Sequence, residues 1–504
     1  MTATGSESRA PGDLLVEVGL RDASSDLLDY IRRQRWYAGR DREAAGLEIV
    51  DAGLGAGSPQ LLPVLVDVVY ADGRRDRYQV PLSVRPADQP APGEIAPIAT
   101  GERDGRAVLV YDALVDVEAA AQLWNLVAGD GRIEMQGGAI AGRQTGEVER
   151  VADASEVHPF VRDQSNTSLL RQERELLKCF RRIEAISSPE LEMLTALHDA
   201  GFAGIAAPLG VVEYQPLHGP ATVLAILQPY LHNATDGFHL ALTSLRDLYA
   251  AAEDADPAGG RGVREIIDQQ GADFRPDASR LGQLVGEMHL ALGSPAMPPA
   301  MAPVRVDGAT LQAWSSAMLE DLEALLAKDT EQTRALNHDA LREALAAVAR
   351  IDQGGSAIRY HGDLHLSQVI RTDSGWVVLD FEGEPHRPVE ERRLQSSPLR
   401  DVAGMLRSFE YAAAVGLLER SAPGDPDWEA LQAFGDGWAE LNRQIFIDAY
   451  LAVDGLRELL PPRDATEVLL RAFEIQKAIY EVRYELGHRP DWAGIPLRFL
   501  ARQR

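Results

Sequence analysis

Residues His361–Glu384 read HGDLHLSQVIRTDSGWVVLDFEGE. A His-Gly-Asp triplet is followed by an amide five positions after the Asp, a short apolar run, and then Asp-Phe-Glu. Apolar and β-branched residues lie on both sides of the turn residues Asp373, Ser374 and Gly375, the pattern of a β-hairpin. A hairpin here folds the chain back on itself, so that Asp363, Gln368 and Asp380 converge on one point. A single Asp in a turn is ordinarily a cap or a solvated residue. The conjunction of His361, Gly362, Asp363, Gln368, Asp380 and Phe381, with a strand between, is far rarer.

Such a point suits phosphoryl transfer, which asks a protein mainly for positioning and charge stabilisation. It needs a carboxylate near the attacking hydroxyl, oxygen ligands for magnesium, and a cation on the nucleotide phosphates. Magnesium takes hard oxygen ligands and keeps some of its waters, so one or two carboxylates with an amide oxygen suffice.

The bulk properties narrow the alternatives. The chain has 504 residues, more than one ordinary domain, with 45% hydrophobic and 25% charged residues, which are globular values. A formal charge of −27 repels nucleic acid and anionic membrane surfaces, so neither is an expected partner. Cys179 is the single cysteine, which excludes an intramolecular disulfide or a multi-cysteine zinc site and suits a reducing cytoplasm. Within ELLKCFRRI it reads as a small buried hydrophobe. The opening MTATGSESRAPGD is not read as a signal peptide, and no apolar run approaches a membrane span. A soluble, cytoplasmic protein, monomer or homodimer, is expected.

Along the chain, a tail to about residue 12 is expected to be disordered. A helix at DLLDYIRRQRW precedes a hairpin in QLLPVLVDVVYADGRRDRYQVPLSV, and RPADQPAPGEIAP is a Pro-rich connector. Residues 95–150 read as short strands with Gly-rich turns. A helix opens at SSPELEMLTAL, with Ser188 as cap and Pro189 in the first turn. After Asn233 long amphipathic helices follow, interrupted by the loop EDADPAGGRGVRE. A sheet-rich first half and a helical second half suggest two lobes around a cleft.

The pattern His-Gly-Asp, four residues, Asn or Gln, then a strand and Asp-Phe resembles the protein-kinase-like superfamily, in its aminoglycoside-phosphotransferase and maltokinase branch. RQRWYAGRDRE, SPLRDVAGMLRSFEYAA and KAIYEVRYELGHRPDWAGIPL extend the likeness to maltokinases and actinobacterial glucosamine kinases. The resemblance implies a bilobal α+β fold with an N-terminal cap and a mainly α-helical C-lobe. The expected division is a cap at 1–92, an intermediate subdomain at 93–150, an N-lobe at 151–233 and a C-lobe at 234–504. It further implies Asp363 as catalytic base, Gln368 and Asp380 as magnesium ligands with Glu382 assisting, and ATP as phosphoryl donor.

On the nucleotide side, QSNTS lies where kinases carry a glycine-rich loop. Lacking glycines, it would act through backbone N–H groups and through Ser165, Asn166, Thr167 and Ser168. Lys178 resembles the lysine on the phosphates, with Glu192 as its ion-pair partner. Gln228 and Tyr230 in ILQPYL match the hinge that reads adenine. No Walker loop is present, so a P-loop NTPase is unsupported.

A sugar pocket calls for bidentate partners for hydroxyls and an aromatic face for the ring. The C-terminal block offers Gln476, Lys477, Tyr480, Glu481, Glu485, Asp491 and Trp492. Helical spacing puts Gln476, Tyr480 and Tyr484 on one face and Lys477, Glu481 and Glu485 on another. The alternative is a solvated helix with a Lys477–Glu481 pair. His365 is as much a packing histidine as a substrate contact. Maltokinases typically carry Asp-Lys where this chain has Gln476-Lys477, and Gly in place of Ser367, which favours glucosamine over maltose. Its amine would pair with Glu481, Glu485 or Asp491. A catalytically silent scaffold is the rival of a different class.

Overall fold

The hairpin is present. Val369–Thr372 pairs antiparallel with Gly375–Val378, in a register of Val369 opposite Val378 and Thr372 opposite Gly375. It belongs to a computed structural model that describes residues 11–18, 20, 22–93, 95–160, 166–184, 188–253, 267, 272–384 and 387–503. The chain divides into two compact units, Met1–Glu192 with Ala206–His232, and Met193–Ile205 with Asn233–Arg504. Residues 1–10 of the expected tail and 254–265 of the loop expected at 253–265 lie outside the described residues.

In the first unit, alternating apolar positions build three sheets. Ala44–Ala52, Val64–Tyr70, Arg75–Gln79 and the short strand Arg182–Ile183 form one. Gln60–Leu62, Leu82–Pro86, Arg106–Asp112 and Ala99–Arg103 form a second. The helix Ala23–Arg33 turns Leu27 and Ile31 into a core with Trp36, Val66, Tyr78 and Val110. The third sheet has seven strands, in the order Val157–Phe160, Asn166–Arg171, Glu175–Phe180, Thr222–Pro229, Gly210–Pro216, Gly138–Gln144, Arg132–Glu134.

Where short strands and turns were expected in 95–150, residues Val117–Ala128 are a helix, capped by the Asp116 carboxylate on the N–H groups of Glu118 and Ala119. Its sequence VEAAAQLWNLVA is rich in strong helix formers. It is buried on most sides, and the polar stripe that marks it is narrow: Glu118, Gln122 and Asn125.

The second unit is helical, built from Gly237–Glu253, Arg275–Leu292, Gly308–Leu326, Leu399–Leu418, Trp428–Leu451 and Arg463–His488. Met288, Phe409, Trp438, Phe446 and Phe473 fill one contiguous core. Gly282 sets the closest crossing, because a Cβ there would lie 2.3 Å from the Phe446 carbonyl oxygen. Among the described residues no helix is long and apolar enough to cross a membrane.

Candidate active site

The loop bearing Asp363 is held by its backbone. Asp401, in the first turn of the 399–418 helix and 1% exposed, accepts the N–H groups of His361 at 2.8 Å and Gly362 at 2.9 Å. His289 Nε2 meets the same carboxylate at 3.1 Å, while its Nδ1 faces the Tyr450 hydroxyl at 3.0 Å. Gly362 has φ of 88°, and a Cβ there would stand 3.2 Å from Gly383 Cα, so the position demands glycine.

His361 ties this loop to the end of the hairpin. Its Nδ1 accepts the Asp363 N–H at 3.3 Å and its Nε2 donates to the Leu379 carbonyl at 2.7 Å. Those two bonds define a neutral Nε2–H tautomer. Across the hairpin the Leu379 N–H donates to the Gln368 carbonyl at 2.8 Å, and Gln368 Nε2 donates to Asp380 Oδ2 at 3.1 Å. Asp380 leaves the strand in the left-handed region, with φ of 65°, a conformation that aspartate visits more readily than most residues. Strain of this kind gathers at functional sites.

Carboxylate oxygens of Asp380 and Glu382 lie within 4.8 Å of each other. Gln368 meets Asp380 through its amide nitrogen, and its other amide atom is an oxygen, the donor type magnesium takes. The set is all hard oxygen, which fits magnesium.

Asp363 carries a deliberate charge balance. Lys477 Nζ donates to Asp363 Oδ1 at 3.1 Å and to Glu384 Oε1 at 3.0 Å. Burial alone would raise the Asp363 pKa, but Lys477 and then His365 outweigh it and hold the carboxyl below its ordinary range. Burial lowers His365 despite the attraction of Asp363, so its ring is neutral near pH 7. His365 Nδ1 accepts the Ser367 N–H at 3.2 Å, which leaves Nε2 toward Asp363 Oδ2, 4.0 Å away. Asp380 also acts on the His365 ring through space, so both aspartates lie around it.

Lys477 stands in the wall of two cavities. The larger, about 390 Å³, has Asp363, His365, Tyr480, Tyr484 and Trp492 in its lining. The smaller, about 120 Å³, is lined by Glu384, Arg387, Arg400, Gln476 and neighbouring side chains. Tyr480 and Tyr484 stack at 6.3 Å and 23°, giving the larger one an aromatic side.

The residues expected at the sugar divide between the two cavities, Asp491 excepted. Gln476 looks into the smaller cavity, receiving Arg400 Nη1 at 2.8 Å and donating to Asp321 Oδ2 at 3.0 Å. Glu481 is bound by Arg407 through Nε at 3.0 Å and Nη2 at 2.8 Å. Glu485 accepts Arg489 at 2.9 and 2.8 Å and the Tyr411 hydroxyl at 3.3 Å. Both acids line the larger cavity, each with an arginine beside it. Asp491 is exposed and not part of either lining, whereas Trp492 lies under the Arg489 guanidinium at 4.2 Å. Lys477 is buried on Asp363 and Glu384, so the 463–488 helix does not present it to solvent as a Lys477–Glu481 pair.

In the first unit, Lys178 forms a 2.7 Å ion pair with Glu190, which shares the first helical turn with the expected Glu192. The reason is helical phase: the helix Pro189–Asp199 begins so that Glu190 is 3% exposed on the inner side, and Ser188 caps it through the Leu191 N–H at 3.3 Å. Asn166, Thr167 and Ser168 belong to a strand, not a loop. Ser168 pairs across from Lys178, but Thr167 lies opposite Cys179 and accepts Arg181 Nε at 2.8 Å, so its hydroxyl is engaged in the fold. Ser165 lies outside the described residues. Gln228 donates its amide to the Ala206 carbonyl at 2.7 Å, and the Tyr230 ring packs edgewise on Phe160 at 5.8 Å. Burial pushes the Cys179 thiol up to about 12, which makes it inert.

Reasoning on the sequence missed Glu384, Asp401 and Arg400. Glu384 sat in the quoted DFEGE, two positions after Glu382, and Asp401 sat in SPLRD. Neither carries a signal that distinguishes it from a surface acid until the loop is seen to fold onto it.

Residues 30–116 match the family model of the maltokinase N-terminal cap domain. A glucosamine kinase of Mycolicibacterium smegmatis is 28% identical over 347 residues, covering 67% of this chain and 77% of that protein. A glucosamine kinase of Streptacidiphilus jiangxiensis is 28% identical over 344 residues, covering 66% of this chain and 70% of that one. Among solved structures, a glucosamine kinase in a second crystal form has a TM-score of 0.64 at 22% identity, covering 94% of this chain and 98% of that one. A glucosamine kinase in complex with glucosamine, ADP and inorganic phosphate has a TM-score of 0.62 at 20% identity, covering 94% and 97%. The chain thus carries a maltokinase-type cap on the α+β fold of the glucosamine kinases, with a helical C-terminal part.

Proposed function

We propose that this chain is an ATP-dependent sugar kinase whose acceptor is glucosamine and whose product is glucosamine 6-phosphate. The observation that carries this reading is Asp363. It is ionised, clamped through His361 to the hairpin that holds Gln368 and Asp380, and faces a cavity with an aromatic side. The glucosamine kinase relatives and the fold support the acceptor.

Lys477 occupies Asp363 Oδ1, so Oδ2 is the oxygen for the acceptor hydroxyl. Asp363 accepts that proton as the sugar oxygen bonds to the γ-phosphorus and the bond to ADP breaks. The depressed pKa makes Asp363 an orienting acceptor rather than a strong base. Gln368, Asp380 and Glu382 would hold magnesium, which when bound would neutralise charge on the nucleotide phosphates. Lys178, steadied by Glu190, is the cation for those phosphates. Buried Cys179 needs no oxidising environment, and the cytoplasm is the proposed location.

Maltose with transfer to its 1-hydroxyl is the second reading, favoured by the cap-domain match. An acceptor panel of glucosamine, maltose and kanamycin, with products identified by NMR, decides between them. Magnesium- and ATP-dependent turnover on none of a broad sugar panel would leave only a silent scaffold. In calorimetry, Asp380→Asn is expected to abolish the magnesium-dependent part of ATP affinity; unchanged binding would remove Asp380 from the ion site.

A further inference from the structure

The smaller cavity, about 120 Å³, has roughly the volume of four waters, room for a carboxylate or phosphate group. Its charged lining is Arg387, Arg400, Lys477 and Arg483 against Asp321 and Glu384. Each acid is already assigned. Asp321 pairs with Arg483 at 2.9 Å, and Glu384 pairs with Arg387 at 2.5 Å and Lys477 at 3.0 Å. Arg400 is the cation left over.

Its Nε donates to Ser396 Oγ at 2.8 Å and its Nη1 to the neutral amide oxygen of Gln476 at 2.8 Å. Its guanidinium lies 4.4 Å from the Phe473 ring centroid, and it makes no ion pair among the described residues. Burial lowers its pKa although Glu384 and Asp321 act on it from farther off. Arg400 is part-buried, and a part-buried cation with no acid in ion-pair contact is open to a ligand that brings one.

We propose that this cavity is an anion subsite, in which Arg400, flanked by Arg387, binds a carboxylate or phosphate group. Lys477 walls both cavities, so the group can be a substituent of the acceptor sugar or a free anion. The first case deepens the sugar-kinase reading, and rests on it, by making the acceptor an acidic sugar. Binding does not depend on turnover, so an absent kinase activity and an absent anion site fail separately.

The test is calorimetric titration of the full chain, without nucleotide, with inorganic phosphate and with muramic acid, an amino sugar bearing a carboxylate. Arg400→Gln is expected to weaken binding about ten- to a hundredfold, as for loss of a charge-assisted hydrogen bond, and Arg400→Lys to restore much of it. Gln476→Glu, which supplies Arg400 with an internal acid, should weaken binding similarly and keeps the test open if Arg400→Gln fails to fold. Muramic acid binding that depends on Arg400 assigns the site to the acceptor. Phosphate binding that depends on Arg400, without such dependence for muramic acid, assigns it to a free anion. No binding of either probe, or binding unchanged in both Arg400→Gln and Gln476→Glu, overturns the proposal.

Discussion

Asp363 owes its charge to Lys477, and that dependence has a sign. In the folded protein burial raises the carboxyl pKa while Lys477 lowers it by more. Replacing Lys477 with Met removes the largest charge that opposes burial, so the pKa rises. Because catalysis needs the ionised form, the acid limb of the kcat/KM profile should move to higher pH. An unmoved limb would separate Lys477 from the base. Asp363→Asn removes the proton acceptor and keeps the shape, and turnover should fall roughly 10²–10⁴-fold with ATP affinity retained. Wild-type-like turnover would exclude Asp363 from the chemistry. Asp363, Gln368 and Asp380 were legible in sequence, since spacing across a hairpin is a local property. The pairing of Lys178 with Glu190 was not, because it depends on the phase in which a helix meets its sheet.

At the scale of elements, a helix start and a hairpin hold the site. Asp401 satisfies the N–H groups of His361 and Gly362 and the ring of His289 from inside the core. Asp401→Ala leaves those donors buried without an acceptor, at about 1–3 kcal/mol each. A loss of roughly 3 kcal/mol or more is expected in urea denaturation of the full chain, and a change under 1 kcal/mol would contradict this account. The hairpin could be read because its turn and alternation are local. The helix Val117–Ala128 was not read, since only the narrow stripe Glu118, Gln122 and Asn125 marks its period. The strand Asn166–Arg171 was taken for a loop because its polar residues are absorbed by cross-strand neighbours.

Within the first unit, cap and seven-stranded sheet are joined by Arg181. Its buried guanidinium pairs with Asp112 at 2.6 Å, which also takes the Tyr30 hydroxyl at 2.6 Å, and lies 5.0 Å from the Trp36 ring centroid. The strand Arg182–Ile183 adds itself to the cap sheet beside Arg75–Gln79. Arg181→Ala should cost about 3–5 kcal/mol, since it leaves Asp112 buried and uncompensated. Urea unfolding followed by tryptophan fluorescence measures it, and an unchanged midpoint would show that the ion pair does not join them.

From its order of residues alone, the chain declared a hairpin between two acidic clusters, the residues at its ends, and long helices after Asn233. These follow from backbone rules acting over a few residues, which a linear pattern records. Tertiary structure decided the rest: that Glu481 meets Arg407, that Lys477 sets the charge of Asp363, and that Arg400 has no acid in ion-pair contact among the described residues. Electrostatic partners are chosen by distance in space, and the Arg407–Glu481 and Lys477–Asp363 pairs lie 74 and 114 positions apart.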